Sequence, residues 1–416
     1  MTSVLVTGSK YKFIPPHESP FWPAVLGRFV PRYLKRTCGI SEIEIRSEEK
    51  LSSLLQAGHG IVLAPNHCRM SDAIVLQRLA RHVRTPFFVM ASAHLFHGRR
   101  SMSWLLRRLG AFSVYREGID RQAVQKGIDI LTEGKRPLVL FPEGALSNSN
   151  EHLNALQEGV SFIARSAAAK LDKASQANNT PDPRRVYTVP IAIRYLYMGD
   201  IEASAGAMLT QVEKRLSWRP FEGQCLIERI YRVGHALLSL KEQEYLGQPQ
   251  SGDIDERLRR LIDHLLIPQE KEFLGGPKDG SVIARVKELR RVLLPEMIEG
   301  TLPTSEMDRR WRLLTDASLA QSLSLYPARY VASRPTVDRI LETVERFNEN
   351  LWGDETQHGP MKAIIQVGEP IEVNPKRDRS SKVDALMQAI EHSLNELLKQ
   401  SADECRMYQP RGADLP

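Results

Sequence analysis

Two short runs in this chain hold residue types that do chemistry, and each follows an apolar stretch. The first is Asn66-His67-Cys68-Arg69-Met70-Ser71-Asp72, the second Phe141-Pro142-Glu143-Gly144. A histidine titrating near neutral pH can take the proton of a hydroxyl, and a carboxylate that fixes its tautomer makes it a better base. If His67 and Asp72 shared one helix, their spacing would point them to different faces. They meet only if His67 lies on a loop after a strand and Asp72 opens the next helix, with Ser71 as its N-cap. The local order allows this: Ile61-Val62-Leu63-Ala64 reads as a buried strand and Asp72 to His82 as a helix. The bland alternative is a surface histidine beside a helix-capping aspartate, and the first motif alone favours it.

The second motif shifts the balance. Phe141-Pro142-Glu143-Gly144 ends an apolar strand, where α/β folds place ligand sites. Gly144 permits close backbone approach, and Glu143 suits either a substrate hydroxyl or the ordering of basic residues around a phosphate. Between the motifs, Arg116 follows the apolar run Ala111 to Tyr115, a setting that suits bidentate phosphate binding as well as a plain solvated charge. In Val189-Pro190-Ile191 a proline interrupts an apolar strand; it removes a ladder hydrogen bond, so it needs an edge, a bulge or another reason.

The elements that must position these residues alternate. Strand patterns at Ile61–Ala64, Phe87–Met90, Ala111–Tyr115, Pro137–Phe141 and Val186–Arg194 are separated by helical patterns at Asp72–His82, Asp120–Thr132 (closing at Gly134) and Glu151–Lys173. A polar loop is expected over Ala174–Arg185. The alternation predicts an α/β domain with a mainly parallel sheet flanked by helices. Ala203 to Asn350 is nearly all helical pattern and repeats at a spacing of 28 residues, Glu242, Tyr245, Gly247, Arg257 and Leu261 recurring as Glu270, Phe273, Gly275, Arg285 and Leu289. Two copies fall short of a solenoid, so a large helical insertion with a duplicated hairpin is expected. Lys362–Val373 returns to strand character, and Val383, Leu386, Ile390, Leu394 and Leu397 share one helix face. The expected organisation is an arm at 1–40, the α/β domain at 41–202, the insertion at 203–350, a strand and helix at 361–400 that rejoin the sheet, and a tail at 401–416.

Composition narrows the class. Hydrophobic residues make up 42% and charged residues 26%, as in folded soluble domains, so disorder is expected only in short loops and in the tail from Met407 to Pro416. No apolar run reaches the ~18 residues of a spanning helix, and the start lacks a signal-peptide pattern, which predicts a cytoplasmic, non-secreted protein. The four cysteines form no CxxC pair and read as free thiols. The net charge of +7 favours anionic partners. Without zinc-ligand spacing, an RNP-like motif or a helix-turn-helix pattern, nucleic acid falls behind a phosphorylated substrate or an anionic membrane surface. Phe13 to Arg36 mixes Phe21, Trp22, Phe29 and Tyr33 with Arg28, Arg32, Lys35 and Arg36, which fits equally a membrane-interface segment and an arm packed across the domain, with Pro23 and Pro31 breaking any long helix.

These blocks, in this order, resemble the glycerolipid acyltransferases, the glycerol-3-phosphate and lysophosphatidic acid acyltransferase superfamily. Asn66, His67 and Asp72 match its first block, Gly110 and Arg116 its phosphate-binding second, Phe141, Pro142, Glu143 and Gly144 its third in full, and Pro190 its apolar fourth. The resemblance covers roughly residues 60 to 195, and Val367 to Ile371 looks like the family's closing strand. It implies transfer of a fatty acyl group from acyl-CoA or acyl-carrier protein to a glycerophosphate or lysophospholipid hydroxyl. His67 would act as base and Asp72 as its orienter, with Asn66, Arg116, Phe141, Pro142, Glu143, Gly144 and Pro190 contributing to substrate binding. It implies no metal and no cofactor beyond the thioester co-substrate, and a peripheral place on the inner face of a membrane. The flanks depart from the family: Cys68-Arg69 stands where Gln-Ser is usual, Ser92 and His94 where Lys and Glu are usual, and Ala145-Leu146-Ser147 where Thr-Arg-Ser is usual. The missing arginine leaves open a non-phospholipid acceptor or a relative that only binds lipid.

Overall fold

The computed structural model describes residues 11–97, 100–116, 118, 120–178, 183–221, 223–326, 329–353, 357–378, 380 and 383–410. The chain forms two compact units. One takes Tyr11–Leu196 and Gly359–Glu404; the other takes Tyr197–His358 and the segment from Cys405 onward.

The first unit is mixed α/β. It runs α1 (Phe21–Leu26), α2 (Val30–Thr37), β1 (Ile40–Arg46), α3 (Glu49–Gln56), β2 (Gly60–Pro65), α4 (Asp72–His82), β3 (Phe88–Ser92), α5 (His94–His97), α6 (Arg100–Arg108) and β4 (Ala111–Val114). Then follow α7 (Arg121–Glu133), β5 (Leu138–Val139), α8 (Gly159–Asn178) and β6 (Val186–Tyr197). The sheet order is β1-β7-β6-β2-β5-β3-β4, where β7 is Met361–Val367; a short β8 (Ile371–Glu372) pairs antiparallel with β6. The pairs β1·β7, β2·β6, β2·β5, β3·β5 and β3·β4 are all parallel. Parallel strands covered on both faces read as apolar runs, and β2 is buried along its whole length. Val62, Phe112, Leu138 and Val186 of the sheet pack with Ile163 and Ala164 of α8 and with Ile390 and Leu394 of α16 (Ala385–Gln400).

Several boundaries differ from the sequence reading. The alternating run Ile-Ser-Glu-Ile-Glu-Ile-Arg forms β1, an element not expected ahead of Ile61. The helix expected from Glu151 begins at Gly159 and extends to Asn178, past the start of the expected loop; residues 179–182 of that loop lie outside the described residues. Residues 1–10 of the expected arm lie outside the described residues; the rest holds two short helices, with Pro23 and Pro31 each in a first turn, where a missing N–H is tolerated. Their buried side chains Val30 and Leu34 belong to the core, while Phe21, Phe29 and Tyr33 stay exposed.

Pro190 has its reason. On the side of β6 away from β2, β8 pairs at Tyr187 and Thr188, and beyond them the neighbour is the turn residue Gly368, whose N–H donates to the Pro190 carbonyl (2.8 Å). The ladder changes partner there, so Pro190 accepts a bond without having to donate one.

The second unit is helical: α9 (Ile201–Arg215), α10 (Leu226–Leu246), α11 (Ile254–Leu274), α12 (Val282–Glu299), α13 (Thr304–Ser324), α14 (Tyr330–Ser333) and α15 (Val337–Trp352). The repeat rests on a buried clasp. Glu242 accepts both Nε and Nη2 of Arg257 (2.9 and 2.7 Å) and the N–H of Gln250 (2.9 Å). Glu270 does the same with Arg285 (2.7 and 3.0 Å) and Lys278 (3.2 Å). A third clasp, absent from the sequence reading, lies upstream: Glu213 accepts Arg229 (2.9 and 2.8 Å) and the N–H of Phe221 (3.2 Å). A bidentate arginine plus a turn N–H satisfies each buried carboxylate and ties one helix end, across a turn, to the next helix. The duplicated hairpin is therefore part of a three-clasp array. The tail is ordered where disorder was expected: Tyr408 donates its N–H to Pro335 O (2.8 Å) and its hydroxyl to Glu202 (2.6 Å). Residues 411–416 lie outside the described residues.

Candidate active site

His67, Arg116 and Phe141–Gly144 all follow the carboxyl ends of strands: β2, β4 and β5 respectively. β2 stops at Pro65 and the chain turns through Arg69, so that Asp72 is the first residue of α4 and its N–H bonds Arg69 O (3.0 Å). A carboxylate at that position also faces the positive end of the helix dipole. His67 Nδ1 lies 2.8 Å from Asp72 Oδ2; the imidazole is 21% exposed and the carboxylate 0%. The same oxygen accepts the Arg69 N–H (3.0 Å), while Oδ1 accepts the Tyr195 hydroxyl (2.7 Å) and a weaker contact from Cys68 Sγ (3.7 Å). Ser71 stands at the N-cap position as expected but makes no side-chain cap; its hydroxyl donates to Tyr195 Oη (3.2 Å). With Nδ1 spent on Asp72, Nε2 is the imidazole nitrogen left for a substrate.

The second motif sits against the first. The Phe141 ring stacks on the His67 imidazole with 4.0 Å between centroids. Glu143 is wholly buried: Oε1 accepts the His67 N–H (2.7 Å) and Oε2 the Asn154 N–H (2.9 Å). Burial pushes this carboxyl up to about 8, and the two N–H donors pull against it. In this geometry both Glu143 oxygens accept from the backbone of the loops that hold the histidine. Pro142 accepts from Gln157 N–H (2.7 Å), and Gly144 turns the chain at φ +66°. The His67 carbonyl is held by Ser147, through its N–H (2.8 Å) and its hydroxyl (3.0 Å).

Arg116 lies over this turn, its guanidinium donating to the Gly144 carbonyl. Gly110, the other residue of that block, is required by close packing: at φ +94°, an added Cβ would lie 2.4 Å from Phe87 O. His67, Asp72, Phe141, Pro142, Glu143, Gly144 and Arg116 thus form one contact network. Asn66 and Pro190 stand outside its open side. Asn66, expected to bind substrate, is buried and pairs both ends of its amide with Ile193, donating to O (3.0 Å) and accepting from N–H (2.7 Å). Pro190 is internal to β6, opposite Ala64.

The sequence reading missed Tyr195, Ser147, Asn150 and Asn154. Asn154 carried a usable signal, since asparagine is a poor helix-interior residue and it falls in the stretch read as helix; Asn150 stands just before that stretch. Tyr195 carried none, since a tyrosine in an apolar strand is ordinary core.

Residues 42–194 match the family model described as Acyltransferase. A 1-acyl-sn-glycerol-3-phosphate acyltransferase of Streptococcus pneumoniae (strain ATCC BAA-255 / R6) is 32% identical over 85 residues, 20% of this chain. The chain spans 30% of that protein's length. Both comparisons fall on the α/β unit, and over residues 42–194 they support a likeness to the glycerolipid acyltransferases.

Proposed function

We propose that the α/β unit transfers a fatty acyl group from acyl-CoA or acyl-carrier protein to a hydroxyl of a glycerophosphate or lysophospholipid. The observation that carries this reading is the His67–Asp72 pair, with Nδ1 held at 2.8 Å by a buried carboxylate and Nε2 left as the base. His67 Nε2 takes the acceptor hydroxyl proton as the oxygen attacks the thioester carbonyl carbon. The C–S bond breaks, and the departing thiolate takes the proton back from the imidazolium. Asp72 holds the tautomer and balances the imidazolium charge. The reading needs no metal or cofactor besides the thioester. The similarity to a protein named as a 1-acylglycerol-3-phosphate acyltransferase supports a phosphorylated glycerol acceptor. A different alcohol as acceptor is the second reading, favoured by Leu146 at the position where the family carries arginine.

Thiol release from acyl-CoA and acyl-carrier protein, measured across glycerol-3-phosphate, lysophosphatidic acid and unphosphorylated alcohols, tests both. Release that depends on a phosphorylated acceptor supports the first reading, and release with only unphosphorylated alcohols the second. No acceptor-dependent release with any combination would sink the activity. Arg116→Ala is expected to raise the acceptor KM several-fold more than the thioester KM, because a guanidinium at the Gly144 turn suits an acceptor phosphate. Equal changes in both constants would remove the phosphate role.

The same unit offers a surface for anionic lipid. Among the described residues no helix is long and apolar enough to cross a membrane. Phe21 (61% exposed), Phe29 (64%), Tyr33, Met102 and Trp104 lie on or beside α1, α2 and α6, with the exposed bases Arg28, Arg32, Lys35, Arg36 and Arg100. Trp22 joins α1 to α6 through Trp104 (5.5 Å between centroids), with Arg108 over both rings. Aromatic anchors ringed by cations favour an anionic headgroup layer. The full chain is expected to sediment with phosphatidylglycerol-containing vesicles, to be released by high salt, and to bind less as Phe29→Ser/Arg32→Ser. Equal affinity for neutral vesicles, or retention until detergent is added, would contradict a peripheral electrostatic dock.

A further inference from the structure

β6 runs on after its neighbour stops: its register with β2 ends at Pro65 opposite Ile191. Two asparagine side chains then stand in for the missing strand. Asn66 makes the paired bonds to Ile193 described above, and Asn150 makes the equivalent pair with Tyr195, donating to its O (2.7 Å) and accepting from its N–H (2.8 Å). Each amide supplies one donor and one acceptor, as a peptide neighbour would. The backbone at Tyr195 is thereby fixed, and its fully buried side chain delivers a hydroxyl 2.7 Å from Asp72 Oδ1.

The geometry points to Tyr195 as a positioning residue for the His67–Asp72 pair. A carboxylate bonded to an imidazole through one oxygen can still turn about its Cβ–Cγ bond. Tyr195 holds the other oxygen, so that Oδ2 stays aimed at His67 Nδ1. Burial and the nearby Asp72 charge raise the phenol well above its ordinary value, so it remains a donor across the working pH range. A tyrosine that merely packs could satisfy its hydroxyl on any acceptor; here the acceptor is the carboxylate that orients the base, and Ser71 donates to the phenol oxygen from behind (3.2 Å).

The kinetic half of the test rests on the acyl-transfer reading. Tyr195→Phe keeps the ring and removes the hydroxyl; it is expected to lower kcat about 10-fold, the scale of one hydrogen bond to a charged group, with both KM values unchanged. In an Asp72→Ala background the same substitution should change nothing further, because its target is gone. An equal loss in both backgrounds would make Tyr195 a packing residue only. The second half needs no substrate. In protein labelled at histidine with ¹⁵N, the low-field proton resonance of His67 Nδ1–H, identified by its loss in His67→Ala, should shift or broaden in Tyr195→Phe. A ring-fluorinated tyrosine at this position, a stronger donor of nearly the same shape, should also shift it and covers the case in which the phenylalanine variant does not fold. An unchanged resonance in the folded variants overturns the proposal even if the wild type turns over. A shifted resonance in a protein with no turnover upholds it while the activity reading falls.

Discussion

His67→Ala is expected to lower acyl transfer by ~10²- to 10⁴-fold, the usual contribution of a general base, with an unchanged melting transition. The fold should survive because the imidazole is partly exposed on a loop. Its loss removes one stacking contact, with Phe141, and one of several donors to Asp72; Tyr195 Oη–H, the Arg69 N–H and Cys68 still hold that carboxylate. The loop backbone is fixed independently of the ring, through Glu143 and Ser147. Asp72→Asn should lose activity by the loss of tautomer control, but with a stability cost, since Asp72 is fully buried. Thiol-release rates beside thermal melts separate the two. Wild-type turnover in a purified His67→Ala protein would end the proposed mechanism.

Ending the chain at Asp200 should give an insoluble or non-cooperatively folded product, a larger effect than that of any point substitution. The sheet order sets β7 between β1 and β6, so truncation removes an interior strand rather than an edge. It also strips Ile364, Ile365, Leu386, Ile390 and Leu394, all buried, from the core. At ~1.5–3 kcal/mol for each such side chain, the loss rivals the whole ~5–15 kcal/mol stability of a domain. The exposed edges of β1 and β6 would then favour aggregation. A soluble 1–200 fragment with a cooperative melt would mean that the sheet closes without β7.

The stretch from Ser149 to Gln157 shows where a local pattern misleads. Glu-His-Leu-Asn-Ala-Leu-Gln is acceptable helix by composition, yet its polar groups are committed elsewhere. The Asn154 N–H goes to Glu143, the Gln157 N–H to Pro142 O, the Asn150 amide to Tyr195 and the Glu151 carboxylate to Arg194 (2.8 Å). Specific long-range partners outweigh propensities worth tenths of a kcal/mol per residue. The third clasp was hidden for a different reason. Glu213 and Arg229 lie farther apart in sequence than the pairs Glu242/Arg257 and Glu270/Arg285, and the intervening Pro220 and Gly223 fall out of step with the Gly and Pro positions of the other two turns, so a fixed-period comparison passes over it.

By itself the sequence determined the α/β class, the order of strand, loop and helix around His67, and the pairing of His67 with Asp72. Those features are local: strand periodicity, a break at Pro65-Asn66, and a carboxylate opening an amphipathic helix lie within a few residues of one another. Only the tertiary structure decided that Glu143 bonds the His67 loop, that Asn66 and Asn150 prolong the sheet, and that Tyr195 reaches Asp72. Each of those contacts joins residues far apart in the chain, and a buried polar atom takes whichever partner the packing brings within bonding distance.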